Sequence, residues 1–166
     1  MKMMLASTLL FIAIPALAQS TDALYNQACG PKDKNFQVEH EQKRPPTSPD
    51  PGKALVYIIQ KDSLRRVVTR IGLDGSWGGV VQDNSYIPLS VEPGEHHLCA
   101  ATQSEKHPEA EFAHFTAEAG KVYFYLLRAT AADVGSSITM TLQTVDRDEA
   151  LYLIASDQQS VAKPKP

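Results

Sequence analysis

From residue 53 onward the chain is written in short apolar runs, each closed by a turn signal, and this rhythm constrains the fold more than any other feature. The runs are "KALVYIIQ" (53–60), "VVTRIGL" (67–73), "SWGGVV" (76–81), "SYIPLSV" (85–91), "EHHLCAAT" (95–102), "EFAHFTA" (111–117), "KVYFYLLR" (121–128) and "SITMTLQTV" (137–145). Several alternate apolar and polar residues, as strands with one buried face do. Val67, Thr69, Ile71 and Leu73 fall on one side, as do Ile138, Met140 and Leu142. The runs 53–60 and 121–128 are apolar at consecutive positions, the pattern of central strands buried on both faces. Asp74-Gly75 and Pro93-Gly94 read as hairpin turns, the first being the strongest short hairpin signal a sequence offers. Pro88 places 85–91 at an edge or a bulge. Strands at intervals of about ten residues predict an all-β fold, an antiparallel β-sandwich of about eight strands over residues 51–156. A small up-and-down β-barrel is the alternative.

One C-terminal helix is expected within 149–156. Asp146 caps it, Glu149 completes a capping box, and Ala150, Leu151, Ile154 and Ala155 form its apolar face. Residues 157–166 are polar and proline-bearing and are expected to form a disordered tail.

The N-terminal region divides in two. Lys2, the apolar run Leu5 to Ile14 and the Ala16-Leu17-Ala18 triplet have the layout of a signal peptide over residues 1–18, cleaved before Gln19. A ten-residue run is too short to span a bilayer as a helix, so no membrane span is expected there. The expected destination is periplasmic or extracellular. Residues 19–50 read as an N-terminal arm and linker, with four prolines in "KRPPTSPDPG" (43–52) favouring an extended path. Phe36 and Val38 share one side of the extended chain and are expected to dock.

Without Lys2 the chain carries 15 basic and 19 acidic residues and no basic cluster beyond Lys43-Arg44 and Arg65-Arg66. That is not the electrostatic footprint of a nucleic-acid binder. The 2 cysteines, Cys29 and Cys99, admit one pairing, and an oxidising compartment favours a disulfide between them. Cys99 alternates with Leu98, so it is expected to face away from the core.

The stretch "VEPGEHHLCA" (91–100) raises a second possibility, because Glu95, His97 and Cys99 share one strand face. Ligands at positions i and i+2 lie about 7 Å apart, which a zinc or copper ion can bridge. That set lacks a fourth ligand and competes with Cys29 for Cys99. A hairpin carrying half of a disulfide is therefore the reading preferred, with His96 tucked at the sheet end and His97 exposed. No G-x-S-x-G, H-E-x-x-H, phosphate-binding glycine loop or paired-thiol motif occurs. Trp77, beside Gly78 and Gly79, is either core filler or a contact for a ligand or partner.

The phrases "PGKALVYII" (51–59), "LDGSWGG" (73–79), "VEPGEHHLCA" and "AEAGKVYFY" (117–125) come in an order and spacing that resembles the exported bacterial family called domain of unknown function 2846. The segment around Pro93-Gly94-Glu95-His96 also resembles the short PEGA-type sandwich domains. The resemblance covers roughly residues 50–155. It implies a small all-β exported domain and brings no catalytic residue and no cofactor. The chain lacks the cysteine after its leader that a lipoprotein needs. The function expected is thus a non-catalytic binding or interaction module of the bacterial cell envelope, acting on an envelope protein or a small ligand. The alternatives are a periplasmic metal-handling protein using His97 and Cys99, and a small enzyme whose site is assembled from scattered residues.

Overall fold

The computed structural model of the chain describes residues 21–61, 67–103, 109–131 and 138–165. The residues expected to form a leader with its cleavage site, Arg65-Arg66 and His107 lie outside the described residues. The elements are α1 (Thr21–Ala28), β1 (Phe36–Glu41), β2 (Ala54–Gln60), β3 (Val68–Leu73), β4 (Ser76–Gln82), β5 (Ser85–Val91), β6 (Gly94–Thr102), β7 (Ala110–Ala117), β8 (Val122–Ala131), β9 (Ile138–Thr144), α2 (Arg147–Ser156) and β10 (Gln158–Pro164). The fold is all-β with two helices. All eight expected strands are present, and the arm and the tail add β1 and β10.

Among the described residues, ten strands form two open sheets. One has the order β1-β10-β5-β2-β8-β9, the other β4-β3-β6-β7. Neither closes on itself, which removes the barrel alternative. Alternation sorts the side chains of β2 cleanly. Ala54, Val56 and Ile58 join Ile71, Val81, Leu98, Leu127 and Met140 in a core shared by both sheets. Leu55, Tyr57 and Ile59 face the other way, into a second cluster with Tyr86, Leu126, Ala150 and Ile154 beneath α2. The residues of β2 are buried on both faces throughout, as the unbroken apolar run predicts.

Pairing is mixed, which corrects the purely antiparallel expectation. β2 runs parallel to β8, and β10 parallel to the start of β5. Turn residues encode the direction of strands adjacent in sequence. β2 and β8 meet only after the intervening chain has built the other sheet, so nothing local encodes their direction. The Pro93-Gly94 turn is a second correction. It joins β5 in one sheet to β6 in the other and so forms no hairpin, whereas Asp74-Gly75 does join the paired strands β3 and β4. Both residues of that turn have positive φ, 49° and 79°, as a tight hairpin connection demands. Pro88 lies opposite Tyr57 of β2, past Tyr86 where the pairing of β5 with β10 ends, so that flank of β5 is an edge there.

Residues 157–166, expected to be free, correct the reading furthest. β10 fills the gap between β1 and β5, pairing with β1 from Phe36↔Pro164 to Glu41↔Gln159. Its single buried residue is Ser160, whose hydroxyl donates to Ser85 Oγ at 2.8 Å. Phe36 and Val38 do dock, as the alternating half-buried positions of β1. Asp146 caps α2 through Oδ1, which accepts from the backbone N–H groups of Asp148 and Glu149 at 3.0 Å. Ala150 and Ile154 are buried, but Leu151 stays 44% exposed and Leu153 packs in its place.

Candidate functional site

Three places concentrate chemistry, and the first is the lock on the arm. Cys99 leaves the core face of β6, as alternation requires, yet it is fully buried because α1 covers it. Cys29 and Cys99 form a disulfide with Cα atoms 5.3 Å apart. Ala28 and Ala101 complete a small cluster against which Tyr25 and Trp77 pack. Trp77 is half-buried under the chain that follows Cys29. Its Nε1 donates to the Pro31 carbonyl at 2.9 Å, and a Cβ added at Gly30 would stand 2.5 Å from its Cδ1. The Arg70 guanidinium stacks on the ring, 4.6 Å from its centroid.

Arg70 is the residue that sequence reading missed. It falls on the polar side of an alternating strand, where an arginine is ordinarily solvated. Here it is 7% exposed and donates to three carbonyls, those of Lys32 at 3.0 Å, Lys34 at 2.8 Å and Thr102 at 3.3 Å. Burial pulls its pKa below the ordinary value, against a smaller upward pull from Tyr25. The arm's backbone is thus bound by one fixed cation in addition to the disulfide.

The second place is the start of β6. His96 turns toward the core beside Phe115, their ring centroids 5.4 Å apart. Its Nδ1 lies 2.6 Å from Asp74 Oδ2 and its Nε2 2.7 Å from the Glu92 carbonyl. Burial is the largest influence on this imidazole and lowers its pKa. Hydrogen bonds to Asp74 and Glu92, with the Asp74 charge, outweigh it, and the net shift is upward. Both nitrogens face acceptors, an arrangement that the doubly protonated ring satisfies. The pair has the look of a base and its orienting carboxylate. However, Nε2, the atom that would activate a nucleophile, is already engaged with a carbonyl.

His97 points the other way. Its Nε2 is 2.7 Å from the Gln27 amide nitrogen of α1. It stands opposite His114 in the β6–β7 register, a neighbour that spacing along the chain does not reveal. The disulfide takes Cys99 out of the alternative metal set of Glu95, His97 and Cys99, because that set needs a free thiolate. Among the described residues, no three His, Cys, Asp or Glu side chains converge on one point as they stand.

The third place is a crevice of about 560 Å³ between the end of α2, β5, β10 and the proline-rich linker, lined in part by Lys43, Asn84, Tyr86, Ile154, Asp157 and Gln158. Tyrosine hydroxyls of β2 and β5 anchor the linker. Tyr57 donates to the Pro46 carbonyl, Tyr86 to that of Lys43 at 3.2 Å, and Ser90 to Asp50 Oδ2 at 2.8 Å. Burial pushes the Tyr57 phenol up to about 12, with a smaller contribution from Tyr86. Burial also raises Tyr86, helped by the Asp157 charge. The Asp157 side chain is 1% exposed and pairs through Oδ1 with Lys61 Nζ at 2.5 Å. Its other oxygen, Oδ2, is buried with no hydrogen-bond partner. The sequence does not mark this crevice, because its lining is gathered from separate segments, the linker, the start of β5, the end of α2 and the first residues read as a tail.

The chain matches no family in a comparison with models of protein families, and it matches no curated protein. No helix among the described residues is long and apolar enough to cross a membrane.

Proposed function

We propose that the chain is an exported binding module of the bacterial cell envelope, a β-sandwich that holds a small polar ligand in the Asp157 crevice and performs no reaction on it. The observation that carries this reading is the unpartnered Oδ2 of Asp157. A buried acceptor left unpaired costs about 1–3 kcal/mol, so an incoming N–H or O–H recovers more there than at a solvated carboxylate. Lys61 already balances the charge of Asp157, which favours a neutral donor over a second cation. The crevice volume falls within the range of small-ligand sites. Engagement of His96 Nε2 by the Glu92 carbonyl supports a non-catalytic role for the most triad-like pair in the molecule. The disulfide and the leader pattern support export, as does the resemblance of the turn-and-strand phrases to an exported family.

Native mass spectrometry of the disulfide-intact protein, incubated with the small-molecule fraction of a cell-envelope extract, tests the proposal. Wild type is expected to retain a neutral polar compound unchanged in mass, and Asp157→Asn, whose amide N–H opposes a donor, to lose it. Retention unaffected by Asp157→Asn, no retained compound, or a compound altered in mass would each overturn the reading.

A further inference from the structure

The two strands β6 and β7 bring together donors that lie 17 positions apart in sequence. His97 and His114 are direct cross-strand partners, their ring centroids 4.9 Å apart and their planes tilted by 42°. Glu95 precedes His97 by two residues on the same face of β6, and its Oε2 is 3.8 Å from His114 Nε2. We infer that His97 and His114, with Glu95 as third ligand, bind a divalent late transition ion of the zinc or copper class.

The spacing is the first support. Two imidazoles bound to one tetrahedral ion at about 2.0–2.1 Å place their ring centroids about 5 Å apart. The two rings already stand at that separation on paired strands, so binding asks side chains to turn about their own bonds and not the backbone to move. The His97 nitrogen is held by a single exposed contact. The Gln27 amide nitrogen lies 2.7 Å from His97 Nε2, and an amide N–H there donates to the ring lone pair that a metal would use. An ion displaces that one exposed hydrogen bond. Glu95 and His114 are 77% and 51% exposed, free to rotate into convergence with His97. Imidazole nitrogen with carboxylate oxygen suits borderline ions, and the order of stability for such ligands runs up to copper, with zinc close behind. Neither of the neighbouring candidates competes. Cys99 is held in the disulfide, and His96 faces the opposite side of the strand with both nitrogens engaged. The ligands leave the solvent side open, as in sites that keep a coordination position for water rather than in closed structural ones.

The test is titration of the tag-free, disulfide-intact protein with zinc chloride, followed by calorimetry. One equivalent is expected to bind. Loss of even an outer partner of a metal ligand lowers affinity about 10–100-fold, so His97→Ala and His114→Ala should each weaken binding at least about tenfold. Glu95→Gln should weaken it less, and His40→Ala, on β1, should not change it. Histidine ring resonances of the wild-type protein provide a readout free of folding defects. Zinc should move those of His97 and His114 and leave those of His96 and His40 in place. Absence of binding at millimolar zinc, binding that survives both histidine substitutions, or ring shifts confined to other histidines would overturn the inference.

Discussion

Gly30→Ala probes the arm lock with a single methyl group. The Cβ it adds would stand 2.5 Å from Trp77 Cδ1, 2.6 Å from Cγ and 2.7 Å from Nε1. The indole is tied by two further contacts that a shift would disturb, its Nε1 bonded to Pro31 and its ring stacked with Arg70. Inserting a methyl into such a fit costs about 1–3 kcal/mol. Against this, alanine restricts the unfolded chain and stabilises by about 0.4–1 kcal/mol wherever the backbone tolerates it. Gly30 does not have a left-handed φ, so the second effect operates. The net expectation is a loss of about 1–2 kcal/mol in the wild-type background. In a Trp77→Ala background the obstacle is gone and the sign reverses, to a gain of up to about 1 kcal/mol. The coupling energy is therefore about 2 kcal/mol. With a urea m-value of about 2 kcal/mol/M, it appears as a difference of about 1 M between the midpoint shifts in the two backgrounds. Urea unfolding of the four proteins in the cycle, followed by far-UV circular dichroism, gives the number. Additive effects within about 0.3 kcal/mol would refute the contact between arm and indole.

Cys29→Ser should cost up to about 4 kcal/mol, the chain-entropy value for a 70-residue loop, and expose the chain before β1 to protease while the sheets persist; limited proteolysis with mass mapping shows whether the first cuts fall there. Labelling of the unreduced, denatured wild-type protein should find no free thiol. The raised pKa of His96 has a definite sign in stability. The contribution is full below the unfolded imidazole value of about 6.5 and is lost as pH rises through the higher folded value. The stability gap between wild type and His96→Gln should therefore narrow as pH rises above the unfolded imidazole value of about 6.5, and a gap that widens would contradict the hydrogen-bonding to Asp74 and Glu92.

Strand existence was legible where side chains decide it. The run 53–60 announces a strand buried on both faces, and the alternation around Ile71 and Ile138 announces one-sided strands, because burial of apolar side chains supplies most of the driving force there. β10 was not legible because its place is decided by the backbone. "QQSVAKP" offers almost nothing apolar, yet its N–H and C=O groups complete the ladder with β1. The same limit applies to the candidate sites. Arg70 reads as a surface residue until the carbonyls of Lys32 and Lys34 arrive from a distant segment. His97 and His114 become neighbours only through the β6–β7 register, and Asp157 acquires its unpaired oxygen only when Lys61, 96 positions earlier, closes over it. The Cys29–Cys99 pairing was legible because two cysteines leave one arithmetic possibility.

The clasp between β1 and β10 bears on how the chain comes to be folded. Phe36 finds Pro164 as its partner, so one of the first strands to be synthesised waits for the last. Until those final residues are available, β1 has no ladder to join and the neighbouring flank of β5 lies open. Pairings this remote close slowly, since the whole intervening loop must be drawn together before they gain anything. A partly made chain is thereby kept from completing its larger sheet, whereas a chain clipped near its end loses the zipper that seals it. Late closure keeps the larger sheet unfinished through synthesis, and the seam between β1 and β10 then completes its flank.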